Sequence, residues 1–205
     1  MNLHRILLAA LVLAASALLP ACTTTATDKT IALRYFPAKA RFNPKDPPVI
    51  VLMPKEAHGL ASAQNGQRII GEIVDNRGRH NANILSSYPI NEWARTAVSG
   101  ELRAAGLNAA DGDACRPGTP CVEPIITDMG SKTDANWANM EVRASMTINF
   151  KISNVPGGNQ EITASGTGTS RSAQGVFNFR DAYENCLRDL MKTAAPKIIA
   201  ATKPN

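Results

Sequence analysis

A chain of 205 residues that is 44% hydrophobic but only 5% aromatic has room for one domain of ordinary size plus flanking segments, with a core of Ile, Val, Leu, Met and Ala. Its formal charge of +5 includes Arg5 near the N-terminus, and the rest is spread along the sequence. Nucleic-acid binders gather positive charge beside aromatic or helical readout elements, so that class is set aside.

The chain opens with the cationic Arg5 and an uncharged apolar run over residues 6–19. A membrane span needs about 20 apolar residues, so this run suits a secretory leader instead. Leu19-Pro20-Ala21-Cys22 resembles the lipobox cut by lipoprotein signal peptidase: an aliphatic residue, a small residue, then the cysteine that takes the lipid. Pro20 departs from the usual small or aliphatic residue at its position, and the alternative is an ordinary cut near Ala26 that discards Cys22. The reading gives a signal over 1–21, lipidated Cys22 with a flexible tether over 22–48, and a single domain over 49–205. Acyl chains, at about 0.8 kcal/mol per buried methylene, would hold that domain to a bilayer. Thr23, not Asp, follows the cysteine. By resemblance to enterobacterial lipoproteins this implies the outer membrane, with the domain facing the periplasm.

Residues 23–48 are rich in Thr, Lys, Ala and Pro, with Lys29, Arg34, Lys39, Arg41 and Lys45 spaced among few acids. They read as an extended linker, with contact of these cations to anionic headgroups or peptidoglycan as a second reading. The apolar run 49–53 predicts a buried strand and 69–74 a second one that could pair with it, leading into the turn chemistry of 75–79. Ile90, Trp93, Ala94, Ala97, Val98, Leu102 and Ala105 recur at steps of three and four, with Asn91, Glu92, Arg95, Ser99 and Arg103 on the other face. That is an amphipathic helix, begun at Pro89 and ended at Gly106.

Over 140–153, Met140, Val142, Ala144, Met146, Ile148, Phe150 and Ile152 alternate with polar residues, which requires a long strand with one wet face. Residues 122–129 predict a strand before it, and 155–159 a turn into a strand over 162–168. There Ile162, Ala164, Gly166 and Gly168 leave a face small enough for a helix to approach. The helix follows, striped by Tyr183, Leu187, Leu190 and Ala194 until Pro196 bends or ends it. The fold class is therefore α+β: an antiparallel sheet of about five strands with two helices on one face, in the order ββαβββα, with a further short strand near Leu107.

Cys115 and Cys121 flank the turn-forming Arg-Pro-Gly-Thr-Pro and read as a disulfide, which an oxidising periplasm tolerates. Cys186 reads as a small buried thiol. The cysteine spacing and scattered histidines do not suit zinc, and no metal or cofactor is expected. No Gly-x-Ser-x-Gly elbow occurs, and Gly130-Ser131-Lys132-Thr133 lacks the upstream glycine of a phosphate loop. Asp75, Arg77 and Arg79, beside His80, form the one polar cluster with two readings: an Asp-capped turn with solvated arginines, or a contact for an anionic group. Trp93 lies on a helix's apolar stripe and reads as core. Trp137 lies in a polar connection, where an exposed aromatic can anchor a partner or a sugar.

Taken together, the box at 19–22, the strand and turn Glu72-Ile73-Val74-Asp75-Asn76-Arg77, the helix over 93–106, the long alternating strand and the last helix resemble the YajG-type family of bacterial lipoproteins. The Cys115 to Cys121 loop departs from that pattern. The resemblance implies an envelope location, an α+β domain and no catalytic residues. The expected role is a non-enzymatic accessory module that binds a protein partner or peptidoglycan. The rivals are an envelope glycan hydrolase or transferase using Asp75, Glu123 or Asp128, and a purely structural linker from membrane to wall.

Overall fold

The computed structural model describes residues 27–57, 63–64, 67–75, 77–136, 139–172 and 178–203. The leader, Cys22, His58 and Trp137 lie outside the described residues. The rest forms β1 (Lys29–Ile31), β2 (Val49–Val51), β3 (Lys55–Glu56), β4 (Ala63–Gln64), β5 (Gln67–Val74), β6 (His80–Ser86), α1 (Ile90–Ala104), β7 (Ala109–Asp111), β8 (Cys121–Asn136), β9 (Asn139–Ser153), β10 (Gln160–Ser172) and α2 (Phe179–Thr202).

Alternation dictates the largest unit. On β9 the side chains of Val142, Ala144, Met146, Ile148, Phe150 and Ile152 are buried, while their neighbours reach the open face. β9 pairs antiparallel with β8 on one side and β10 on the other along nearly its full length. Asn154, Gly157 and Gly158 take the positive φ that the β9–β10 turn needs.

Across β8 the expected antiparallel meander gives way to a mixed sheet, ten strands among the described residues. β2 pairs parallel with both β7 and β8, not with β5, so the expected neighbour relation of runs 49–53 and 69–74 is corrected. β5 instead forms a hairpin with β6, an unexpected strand, and meets β8 in parallel at Glu72 and Lys132. β8 is also twice its expected length. A bulge between Ile126 and Asp128 resets its alternation, turning Asp128 toward Thr147 on the open face.

Both helices cover the other face. α1 buries Ile90, Trp93, Ala94, Ala97, Val98 and Leu102, and Gly106, at φ 96°, ends it. Ser99, expected on the wet side, is buried as well, donating to Asp111 Oδ1 at 2.5 Å. α2 starts where Asn178 Oδ1 accepts from the Asp181 N–H at 3.2 Å. It buries Tyr183, Cys186, Leu187, Leu190, Met191 and Ala194 against β9 and β10. A side chain at Gly166 would put its Cβ 2.5 Å from the Leu190 N and 2.7 Å from the Leu190 Cβ, so the small face of β10 does admit the helix backbone. α2 does not stop at Pro196 but runs through it to Thr202. Pro196 and Lys192 are both exposed, so water can satisfy the Lys192 carbonyl that the proline leaves unpaired.

The second large correction concerns the expected tether. Residues 29–31 form β1, parallel to β6, and Leu33 and Tyr35 are buried in the main core. Tyr35 stands edge-on to Trp93 at 6.5 Å, and Trp93 edge-on to Tyr183 at 6.3 Å. The Tyr35 hydroxyl donates to Glu101 at 2.5 Å, and the Arg41 N–H to the Arg103 carbonyl at 3.0 Å. Pro37 lies so near Gly100 that a Cβ there would be 2.5 Å away. Residues 32–48 are thus a strap across α1 and α2, belonging to the domain rather than preceding it. The outer edge of β10 is engaged at two points from the helix side: Asp189 accepts from the Thr167 N–H at 3.2 Å and Asn185 donates to the Thr169 carbonyl at 3.1 Å.

Candidate functional site

The polar face of β9 and its neighbours is a surface that the core does not use. Strand register aligns Asn83, Glu72, Lys132, Arg143 and Thr169 in one row across β6, β5, β8, β9 and β10. Around this row lies an open groove of about 930 Å³, whose lining also includes Asp128, Gly130, Ser145 and Thr167. The groove exists because β5 closes on β8 through side chains. Ser131 Oγ stands where a side chain at Gly71 would be, and Tyr183 and Ser131 both donate to the Ile70 carbonyl. Thr133 Oγ1 accepts from the Val74 N–H at 3.0 Å. Burial raises the Tyr183 phenol well above its ordinary pKa, so the hydroxyl stays a donor in this junction.

Asp128 aside, the groove's charges are paired. Lys132 Nζ lies 3.6 Å from Glu72 Oε1. Glu141, its side chain only 14% exposed, receives Arg143 Nε at 2.6 Å and Arg171 Nε at 2.7 Å. Those donors, Arg171 first, hold the Glu141 carboxyl below the usual carboxylate range. Hydroxyls fill the spaces between, with Thr147 and Ser165 bonded at 2.9 Å. Such a surface presents alternating charges and donors to a ligand.

Of the residues singled out from sequence, Asp128 lines the groove and the other described ones lie elsewhere. Asp75 caps the β5–β6 turn: its Oδ1 accepts from the N–H groups of Arg77 and Arg79 at 2.8 and 2.9 Å, and its Oδ2 from Arg79 Nε at 2.8 Å. The Arg79 backbone bond is the main cause that lowers the Asp75 pKa. Arg79 is thereby engaged within the turn. His80 Nε2 is 3.0 Å from Asn83 Oδ1.

Glu123 is ion-paired with Lys55. Its register partner on β9 is Lys151, four residues from Thr147, the partner of Asp128. Four steps along a strand are about 13 Å, beyond the roughly 5 to 9.5 Å at which two carboxylates share glycoside chemistry. Cys115 and Cys121 are joined in a disulfide, which fixes the loop leading into β8. Cys186 is buried, and burial pushes its thiol up to about 12. Among the described residues no group of three or more His, Cys, Asp or Glu is placed to hold a metal ion, and no helix is long and apolar enough to cross a membrane.

The groove was missed in the sequence because its residues come from five strands, one of which, β6, the periodicity did not show, while it showed only the first half of another, β8. The usable signal was the run of polar residues on the odd positions of β9 and β10, all of which turn the same way.

These features define a class: an α+β domain with a mixed sheet, two helices on one face and a polar groove on the other. No family model matches the chain, and no curated protein matches it. Among solved structures, protein XCC0632 from Xanthomonas campestris, of the DUF330 family model, is 13% identical. That alignment covers 83% of this chain and 92% of the other, with a TM-score of 0.42. A minor lipoprotein from Acinetobacter baumannii is 11% identical over 77% of this chain and 96% of the other, with a TM-score of 0.37. Lipoprotein GNA1162 from Neisseria meningitidis is 15% identical over 76% of this chain and 99% of the other, with a TM-score of 0.29. At these scores no residue role passes from those proteins to this chain.

Proposed function

We propose that the chain is a lipoprotein of the bacterial cell envelope, of the YajG type, acylated at Cys22 and held at the outer membrane. Its domain acts by contact, without catalysis, as an accessory module for a protein partner. The observation that carries the contact role is the groove. It joins five strands into one polar surface whose Lys, Arg and Glu side chains are already paired, so it suits a surface of matching alternation better than it suits a reacting group. The described part of the groove has no aromatic platform of the kind sugars stack on, which favours a protein over peptidoglycan. The separation of Glu123 from Asp128 and the engagement of Asp75 within its turn weigh against the hydrolase or transferase.

The test has two readouts. Intact mass and membrane fractionation of the chain and of Cys22→Ala report the anchor: acyl mass and outer-membrane sedimentation should belong to the native chain alone. Photo-crosslinking residues placed at Thr167 and Ser145, with Lys197 on the helix side as control, report the contact. A discrete protein adduct from the groove positions and not from the control is expected. Binding to purified sacculi without such an adduct would move the role to peptidoglycan or to a structural link, and glycan cleavage by the purified chain would overturn the contact role altogether.

A further inference from the structure

The strap carries positive charge that its surroundings do not neutralise. Arg34, Lys39, Arg41 and Lys45 are all exposed, and among the described residues none of the four has an acidic partner within ion-pair distance. On the open sheet face the arrangement is the reverse: Lys132, Lys151, Arg143 and Arg171 each face a glutamate. The acid within the strap, Asp46, accepts from the Asn43 amide at 3.2 Å. Between the cations stands Phe36, 61% exposed, the most exposed large apolar side chain among the described residues.

Its exposure is enforced by the backbone. Leu33 and Tyr35 point into the core, so Arg34 and Phe36, one step along an extended segment, must point out. Arg188 fixes this register twice, from over the Tyr35 ring at 5.9 Å and by donating to the Phe36 carbonyl at 3.4 Å. The strap therefore holds an outward aromatic among unpaired cations, on the helix side of the domain and away from the groove.

Chain length limits how far the start of β1, which leads into the strap, can stand from any lipid on Cys22. Seven residues separate Cys22 from Lys29, a reach of at most about 25 Å. We propose that the strap is the face on which the domain rests against an anionic phospholipid bilayer, its cations toward the headgroup phosphates and Phe36 in the interface. The proposal rests on the Cys22 anchor only for the confinement that makes a weak contact populated. Resting in this way, the domain presents its groove away from the membrane, where a partner can reach it.

The test uses the full chain expressed with its own leader, with acylation scored by intact mass. The protein is reconstituted in phosphatidylcholine vesicles with or without about one third phosphatidylglycerol. Hydroxyl-radical oxidation of Phe36 is then read by peptide mass spectrometry. Phe36 should oxidise at least about threefold more slowly on the anionic vesicles, the protection expected for a side chain lodged in the interface. High salt, or the combined change Arg34→Glu, Lys39→Glu and Arg41→Glu, should remove the protection while thermal unfolding of that variant stays at the native midpoint. Equal oxidation on both vesicles overturns the proposal and leaves an acidic protein surface as the reading of the same charge. Protection that survives salt and charge reversal also overturns it. If the mass shows no acyl group, the anchor fails on its own. The same oxidation comparison with vesicles in excess then decides the strap: protection by anionic vesicles supports it, and none overturns it.

Discussion

Replacing Gly166 by alanine tests whether β10 and α2 are packed backbone to backbone. The added Cβ would lie 2.5 Å from the Leu190 N and 2.7 Å from the Leu190 Cβ, where ordinary contact begins near 3.4 Å. The atoms that must yield belong to a helix backbone, so α2 would have to move by about 0.9 Å relative to β10. A gap of that size opened elsewhere along the buried stripe forfeits a quarter to a half of each dispersion contact it stretches. Overpacking of this kind costs about 1 to 3 kcal/mol, and the rigidity of both partners places Gly166→Ala near the top of that range. Gly130→Ala is the control. It also adds a methyl to a strand glycine, but a Cβ there meets nothing within 4 Å, so the lost freedom of the unfolded chain should leave it neutral or up to about 1 kcal/mol more stable. Urea denaturation followed by far-UV circular dichroism compares the two. A Gly166→Ala midpoint equal to that of the native chain would refute the close approach.

Three further outcomes are expected. Tyr35→Ala should cost about 3 to 5 kcal/mol in the same assay, because residue 35 is part of the core with Trp93; a loss below 1 kcal/mol would return residues 32–48 to the status of a tether. Pro196→Ala should stabilise the protein by up to about 3 kcal/mol, since it restores a helical N–H on an exposed turn, and a loss of stability would mean that the proline packs usefully. The third concerns pH. The Cys186 thiol is raised from 9.0 to about 12 by burial, so the folded state holds this proton more tightly than the unfolded one. Its contribution is complete below pH 9 and is lost as pH rises from 9 toward 12. Denaturation midpoints should therefore fall over that range, and Cys186→Ala should flatten the fall; an identical slope in the variant would show that the thiol is not coupled to folding.

The parts of the fold that the sequence displayed are those with one dry and one wet face. α1, α2 and the β9–β10 hairpin follow from residue spacing because each element meets water along its whole length, and the small residues Gly166 and Gly168 marked where the helix would dock. Periodicity failed where the core face is not apolar. The second half of β8 turns Ser131 and Thr133 inward, buried at 5% and 3% exposure, because their hydroxyls bind the backbone of β5. Together with the bulge before Asp128, they hide the seven residues of strand from 130 to 136. β6 begins His80-Asn81-Ala82-Asn83, and its only early inward residue is an alanine. The strap contributes just Leu33 and Tyr35 to the core, too few for any period to appear. The Asp75 turn was readable from local chemistry alone, whereas the groove depends on where β5 meets β8, a long-range contact governed by the absence of a side chain at Gly71.

The way β10 ends the sheet bears on the chain's exposure to self-association while it folds. A long outer strand with unpaired amides and carbonyls is a template onto which another chain can add. Here Asp189 and Asn185 take up two of those groups, on Thr167 and Thr169, and both belong to α2, which follows β10 in the chain. Until the C-terminal helix has been synthesised and seated, a strand of thirteen residues is open to pairing between molecules. Docking of α2 seals the core and engages the middle of the edge in one event, so any lesion that delays that event should be seen first as self-association and only then as loss of the folded state.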